Sequence, residues 1–422
     1  MELYDILITS VPEMENDIPS PAPFYLKGFL QKYGFKVKAI DGNQFKTVEK
    51  LKEEIEKYKF RILGISVFSF MNVDFALELG KLFPNSKKLF GGSGVGTPEW
   101  NKKFSKTMGD YITAEGEYAL LNYIRGNKVY PGINGIPPIQ IQDISELPFP
   151  DYSDIDVSKY NKISVTGSRG CVRHCSFCNV RDIWKHYRYI KGDKLAESII
   201  QMYKDTGIRK FAFSDSLVNG SPPEFRKMCQ YFKEYREKTK NKIIWFGQFI
   251  IRKNIKEYEF KLMKEAGCGH LSLGVESGSE KVRKSMNKNF SNEAIYWNIL
   301  NLVKYKIEFK MLLIIGYPTE TENDFEETLK LLQEVSKYTS EVKIAVTPHM
   351  FLPFDNKNLK LQGFKWENEN SSYIDRLFRY KKTFNILETG GFVIEEHALK
   401  KLRIVEKQLR KINENDKDVK YH

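Results

Sequence analysis

The chain has 422 residues, 67 Lys and Arg against 54 Asp and Glu, and a formal net charge of +13. At roughly 100–200 residues per domain this length predicts two or three domains with full cores, and 29% charged with 14% aromatic residues excludes a disordered or collagen-like chain. No apolar run nears the roughly 20 residues of a membrane helix, the N-terminus lacks the basic-then-apolar order of a signal peptide, and five cysteines are too few for a secreted disulfide framework; the expectation is a soluble cytoplasmic protein.

Along residues 3–126, short apolar runs alternate with helical periods. Strands are expected at 3–10, 35–41, 61–70, 88–90 and 111–114. Helices are expected at 24–33, 48–58, 73–83 and from 117 to about 125. The run 61–70 is apolar on both faces, as in a central parallel strand. Strands separated by helices of this size predict a doubly wound parallel sheet whose ligands sit beyond its carboxyl ends. Periodicity lapses over 128–160, where Pro131, Pro137, Pro138, Pro148 and Pro150 predict an extended linker.

Six strands follow, at 162–166, 210–214, 242–250, 270–275, 308–315 and 341–348. Helices lie between them near 193–205, 222–239, 255–266, 291–305 and 322–338. Consecutive βα units without reversal predict a partial (β/α)6 TIM-type barrel with its site at the C-terminal mouth. A polar helical region closes the chain. The expected divisions are a doubly wound domain over 1–127, a linker over 128–160, a barrel over 161–352 and a helical C-terminal region over 353–422.

Directly after the first barrel strand comes Ser168-Arg169-Gly170-Cys171-Val172-Arg173-His174-Cys175-Ser176-Phe177-Cys178, so three of the five cysteines occupy one loop with the spacing C-x3-C-x2-C. Three soft thiolates suit zinc or an iron–sulfur cluster. A structural zinc needs a fourth ligand; His174 adjoins Cys175 and cannot easily turn inward with it, and no second Cys pair follows. A cubane held by Cys171, Cys175 and Cys178 keeps one iron open for chemistry.

This segment resembles the signature of the radical S-adenosylmethionine superfamily, C-x3-C-x-Φ-C. The resemblance implies a [4Fe–4S] cluster on the three cysteines and S-adenosyl-L-methionine as co-substrate. It also implies reductive formation of a 5′-deoxyadenosyl radical and an electron donor such as flavodoxin or ferredoxin. Phe177 would pack near the adenine. Ser214 and Asp215 stand where the family often has Gly-Gly-Glu for the methionine amine, and Arg252 where an Arg often meets the carboxylate. Gly274-Val275-Glu276-Ser277-Gly278-Ser279 is similar to the family's G-[IV]-E-S-G segment, bringing Glu276 and Ser277 to the ribose and sulfonium. Gly316-Tyr317-Pro318-Thr319-Glu320-Thr321 resembles the turn that cradles adenine, through Gly316 and Glu320.

The N-terminal half, with Gly64-Ile65-Ser66, Gly91-Gly92-Ser93 and Glu115-Gly116-Glu117, resembles the cobalamin-binding domain of the class B-like subfamily. Ser66, Gly91, Gly92 and Ser93 would then line a cobalamin site. No Asp-x-His-x-x-Gly occurs to supply a lower ligand, so a domain that no longer binds cobalamin is the alternative. With cobalamin, methyl transfer to an unactivated carbon is expected; without it, radical rearrangement, cyclisation or sulfur insertion. The +13 charge permits an anionic substrate. A basic and aromatic stretch at 181–191 permits nucleic acid, which is not favoured. A non-catalytic iron–sulfur protein that binds nucleic acid is the rival of another class. Cys229 and Cys268 read as buried packers, His270 as structural, and His349 with Pro353 and Phe354 as facing substrate.

Overall fold

The computed structural model describes residues 2–12, 18–68, 72–95, 104, 109–113, 115–351 and 372–415. Ser69, Gly96, Ala114, Pro353, Phe354 and the last seven positions lie outside the described residues. The chain divides into two compact units: Met1–Gly170 with Asp182–Ser214, and Cys171–Arg181 with Asp215–His422. No described helix is long and apolar enough to cross a membrane.

In the first unit, β1 (Ile6–Ser10), β2 (Val37–Ile40), β3 (Ile62–Ser66), β4 (Lys87–Gly91) and β5 (Asp110–Ile112) form one parallel sheet in the order β2-β1-β3-β4-β5. Side chains alternate along each strand. Leu7 and Leu63 therefore enter one core with Leu51, Val73 and Leu79, while Ile6, Ile8 and Ile62 enter another with Phe29, Leu120 and Tyr123. Two cores on two faces make the doubly wound sheet that the apolar runs predict. The helices α1 (Pro21–Gln31), α2 (Val48–Ile55), α3 (Val73–Leu82) and α4 (Glu117–Ile124) supply the covering layers. α1 begins three positions before the expected residue 24, because Pro21 has the preset φ of a first helical turn. α2 starts where the Thr47 hydroxyl accepts from the Lys50 N–H.

The proline-rich stretch 128–160 is packed onto this unit. Ile133 and Leu147 join the second core. Lys27, 2% exposed, is held 3.3 Å from Asp151 and 2.9 Å from Asp154. Asp154 also accepts from the Ala39 N–H at 2.8 Å. The Tyr160 hydroxyl donates to Asp41 at 2.5 Å.

Six further strands carry the partial barrel. β6 (Ile163–Val165) and β7 (Lys210–Phe213) pair in parallel within the first unit, with α5 (Gly192–Thr206) between them in the chain. In the second unit β8 (Ile244–Phe249), β9 (Cys268–Glu276), β10 (Glu308–Ile315) and β11 (Ile344–Met350) pair in parallel in chain order. α6 (Pro222–Thr239), α7 (Glu257–Glu265), α8 (Asn292–Lys304) and α9 (Glu322–Ser336) alternate with them. Leu271, Leu273 and Val275 of β9 are fully buried. The alternate positions carry polar residues, and the register sets Gln248, Ser272 and Lys310 side by side. The C-terminal helices α10 (Tyr373–Thr389) and α11 (Glu396–Asn415) pack through Leu377, Phe384, Ala398 and Leu402. Cys229 and Cys268 are buried, as packers should be.

Candidate active site

The cysteine loop in the second unit is stapled to the segment that follows the short helix Glu280–Ser285. The Ser176 N–H donates to the Met286 carbonyl at 3.0 Å, and its hydroxyl lies 2.8 Å from the Tyr317 hydroxyl. The Asn287 side chain donates to the His174 carbonyl at 2.8 Å. The loop turns through Cys178 N–H to Cys175 carbonyl, 3.2 Å. The His174 ring lies 3.1 Å from Arg181.

Cys171, Cys175 and Cys178 are all free and half-buried. Burial pushes the Cys175 thiol up to about 11, with Lys288 pulling the other way. Burial likewise raises Cys178. Among the described residues no three His, Cys, Asp or Glu side chains converge where a single metal ion could sit. A cubane asks for something else, one thiolate at each of three corners, and three soft donors on one loop fit that demand.

Beside the loop lies an element that sequence reasoning missed. Glu276 ends β9 at φ 68°, just past a register shift between Gly274 and Glu276. Its carboxylate is 2.5 Å from Lys288 Nζ. The same ammonium donates to the Gly274 carbonyl at 2.8 Å and stands 5.8 Å from the Phe177 ring centroid. Phe177 packs against Val282, Met286, Ile314 and Tyr317. Glu276, Phe177 and the loop thiols are thus assembled around one lysine. Its only sequence signal is the cationic "KSMNK" run ending at Lys288.

The other expected site residues make contacts within the protein. Ser277 is fully buried; its hydroxyl lies 3.3 Å from that of Thr328 and accepts from the Ser279 N–H at 3.1 Å. Glu320, also fully buried, accepts from the Gly316 N–H at 2.7 Å and lies 3.3 Å from Arg379 of α10. Gly316 has φ 77°, and a Cβ there would lie 2.4 Å from Arg376 Cγ, so the turn needs glycine on both counts. Arg252 donates to the carbonyls of Asn219 and Gly220 at 2.9 and 3.3 Å. Asp215 is 3% exposed. In the first unit the Ser214 hydroxyl lies 2.8 Å from that of Thr166 at the end of β6. His349 lies one residue before the end of β11, where burial first and then the neighbouring Lys401 and Lys310 push its imidazole down to about 4.

At the carboxyl edge of the first unit's sheet, Ser66 and Gly91 are register partners. Among the described residues, a Cβ on Gly91 would meet nothing nearer than 3.9 Å. Gly92 turns against Val67, whose carbonyl oxygen would lie 2.5 Å from a Cβ. The Ser93 hydroxyl donates to the Phe68 carbonyl. In a 2-1-3-4-5 sheet the order reverses between β1 and β3, which opens a crevice for ligands at their carboxyl ends. Asp41 lies at the end of β2, accepting from Ser10, Ser20 and Tyr160.

Glu115 and Glu117 turn out to be clamps. Glu115 lies 2.6 Å from Arg169 and 2.8 Å from Arg188, and Glu117 also pairs with Arg169. The arginines belong to an antiparallel ribbon, Ser168–Arg169 against Arg188–Tyr189. That ribbon brackets the cysteine loop in the chain, so the carboxylates brace its stem.

Residues 165–332 match the Radical SAM superfamily. A Pyrococcus horikoshii protein named as an uncharacterized methyltransferase is 24% identical over 340 residues, covering 74% of this chain and 72% of the relative. The bacteriochlorophyllide d C-12(1)-methyltransferase of Chlorobaculum tepidum is 26% identical over 256 residues, 59% of this chain and 53% of its own. A tRNA-2-methylthio-N(6)-dimethylallyladenosine synthase of Clostridium tetani is 28% identical over 188 residues, 43% of this chain and 41% of its own. The chain thus spans about half the length of the last two relatives.

Among solved structures, the radical S-adenosylmethionine methyltransferase TsrM of Kitasatospora setae, with cobalamin and a [4Fe-4S] cluster bound, has TM-score 0.70 at 14% identity. The match covers 83% of this chain and 76% of that one. The cobalamin-dependent S-adenosylmethionine radical enzyme OxsB has TM-score 0.67 at 19% identity, covering 86% and 56%. These likenesses establish a shared fold. Residues 165–332, which carry the three-cysteine loop after the first barrel strand, are thus similar to the radical SAM superfamily, whose members use a [4Fe–4S] cluster and S-adenosylmethionine.

Proposed function

We propose that this enzyme is a cobalamin-dependent methyltransferase acting on an unactivated carbon, in a reducing cytoplasm. The observation that carries the reading is the presence in one chain of the cysteine loop and a 2-1-3-4-5 parallel sheet. The fold likeness to TsrM and OxsB covers 83% and 86% of this chain. The name of the Chlorobaculum relative, a C-methyltransferase, supports the same outcome.

In this reading Cys171, Cys175 and Cys178 hold the cluster, and Phe177 and Glu276 face the adenosine of S-adenosylmethionine. A reduced cluster held by these three thiolates would supply one-electron cleavage of the sulfonium, the source of a 5′-deoxyadenosyl radical. The chain's own part is to position and exclude. Lys288 fixes Glu276, the bracing of Gly316 by Glu320 shapes the turn beneath the adenine, and the packed Phe177 and Tyr317 keep solvent hydrogens from the radical. Ser66, Gly91, Gly92 and Ser93, on the domain assigned to residues 1–127, line the cobalamin. The substrate is an organic molecule whose negative charge would suit the +13 chain.

The test is anaerobic reconstitution followed by incubation with reductant and S-adenosylmethionine, with and without cobalamin. A cobalamin-dependent rise in S-adenosylhomocysteine supports the proposal. Deoxyadenosine formed equally without cobalamin would favour rearrangement, cyclisation or sulfur insertion. Absence of both products would sink the reading.

A further inference from the structure

The edge strand β11 of the second unit carries a cluster of charged side chains outside the expected cofactor residues. In its register with β10, Lys310 stands beside Ala345, Leu312 beside Thr347 and Ile314 beside His349. Neighbours in register point to the same face, and the alternate positions Phe309, Met311 and Leu313 are fully buried. That buried row is the one under the helices, so Lys310, Thr347 and His349 face the barrel interior. Beyond β11 the chain returns as a single parallel bridge, Val393 opposite Ala345, with the Val393 N–H donating to the Ile344 carbonyl at 2.9 Å. Two residues on, Glu395 accepts from the Thr347 hydroxyl at 2.8 Å and pairs with Lys310.

Two features decide what this cluster takes. Its outer end is unspent: His349, His397 and Lys401 are exposed, and no described group hydrogen-bonds the His349 ring or the Lys401 ammonium. The groups acting on the His349 imidazole are Lys401, His397, Lys310 and Glu395, and the one acid among them is already engaged by Lys310 and Thr347. An ammonium and two imidazoles remain, a donor set that suits an anion. The second feature is position. Ile314, the register partner of His349, belongs to the apolar cluster against which Phe177 of the cysteine loop packs. S-adenosylmethionine has one anionic group, its carboxylate, and Arg252, the residue expected to meet it, follows β8. Three strand steps separate β8 from β11, roughly 14 Å. The expected cobalamin residues belong to the first unit.

We propose that His349 and Lys401 bind a carboxylate or phosphate group of the methyl-accepting substrate. The inference rests on the methyltransferase reading for the role of the bound molecule as substrate. The anion accepts a hydrogen bond from the imidazole N–H and another from the ammonium, and no covalent bond changes. Glu395 is the positioning residue, because its bonds to Lys310 and Thr347 tie β10, β11 and the start of α11 together.

The experiment follows the His349 imidazole resonance of the full chain by NMR at constant pH while inorganic phosphate, acetate or chloride is added. The chain has six histidines, and His349→Gln assigns the signal. A saturable shift with phosphate or acetate, absent with chloride, is expected, and the tighter of the two identifies the anionic group. Lys401→Glu should weaken that binding about tenfold, whereas Lys401→Arg, which keeps the charge, should stay within about twofold of wild type. An equal shift with chloride, an adventitious ion only, overturns the proposal, as does unchanged affinity in Lys401→Glu. Deoxyadenosine formation by the reconstituted wild-type chain is measured in parallel. A chain that binds the anion but forms no deoxyadenosine keeps the anion site and overturns the reading of its ligand as a radical substrate.

Discussion

The Lys288 ammonium lies 2.5 Å from the Glu276 carboxylate, with the two side chains 14% and 9% exposed. Glu276 sits at φ 68°, a conformation that costs a non-glycine residue about 1–3 kcal/mol and persists only where surroundings enforce it. Lys288 is that enforcement, and it stands against the Phe177 ring.

Lys288→Met should therefore leave a buried carboxylate without its cation and destabilise the protein by about 3 kcal/mol in denaturant unfolding. Glu276→Gln combined with Lys288→Met should recover part of that loss. Strict additivity of the two single variants would show that the pair is not coupled.

Replacing Cys171, Cys175 or Cys178 with Ala should lower the iron content of the reconstituted protein and abolish deoxyadenosine. Cys229→Ala, in the packed core, should leave both in place. Full iron and product in any of the three loop variants would remove that residue from the ligand set.

Glu115→Gln should cost about 3 kcal/mol, because Arg169 and Arg188 lose a shared buried carboxylate. A thermal unfolding midpoint equal to wild type would mean that the ribbon stem needs no such brace.

Burial pushes the Glu320 carboxyl up to about 7 from its ordinary 4.5, although the Gly316 N–H and Arg379 pull it down. The folded state then binds this proton more tightly than the unfolded chain does. The group's contribution is fully present below pH 4.5 and is lost as pH rises through about 7, a change of about 3 kcal/mol. Glu320→Gln should flatten the fall in stability between about pH 5 and about pH 8. An unchanged slope in the variant would assign the titration elsewhere.

Tyr160→Phe should cost about 2 kcal/mol by taking one donor from buried Asp41. Urea unfolding that does not shift would mean that the Tyr160–Asp41 bond adds nothing to the contacts that hold the 128–160 stretch.

Much of this protein was legible before any fold was known, because it is written in local patterns. The cysteine spacing lies within eight consecutive positions, and α6, with its N-terminal prolines, occupies the expected 222–239. The alternation of strands and helices that predicts a parallel sheet follows from apolar runs and short connections in the same way. What depends on distant residues could not be read off. Glu115 and Arg188 are 73 positions apart, and Asp41 and Tyr160 are 119 apart; no periodicity couples them. Only the tertiary structure turned Ser277 and Glu320 inward, because a strand-end carboxylate or hydroxyl has several directions open to it and packing selects one. The length, composition and +13 charge bounded the class of molecule.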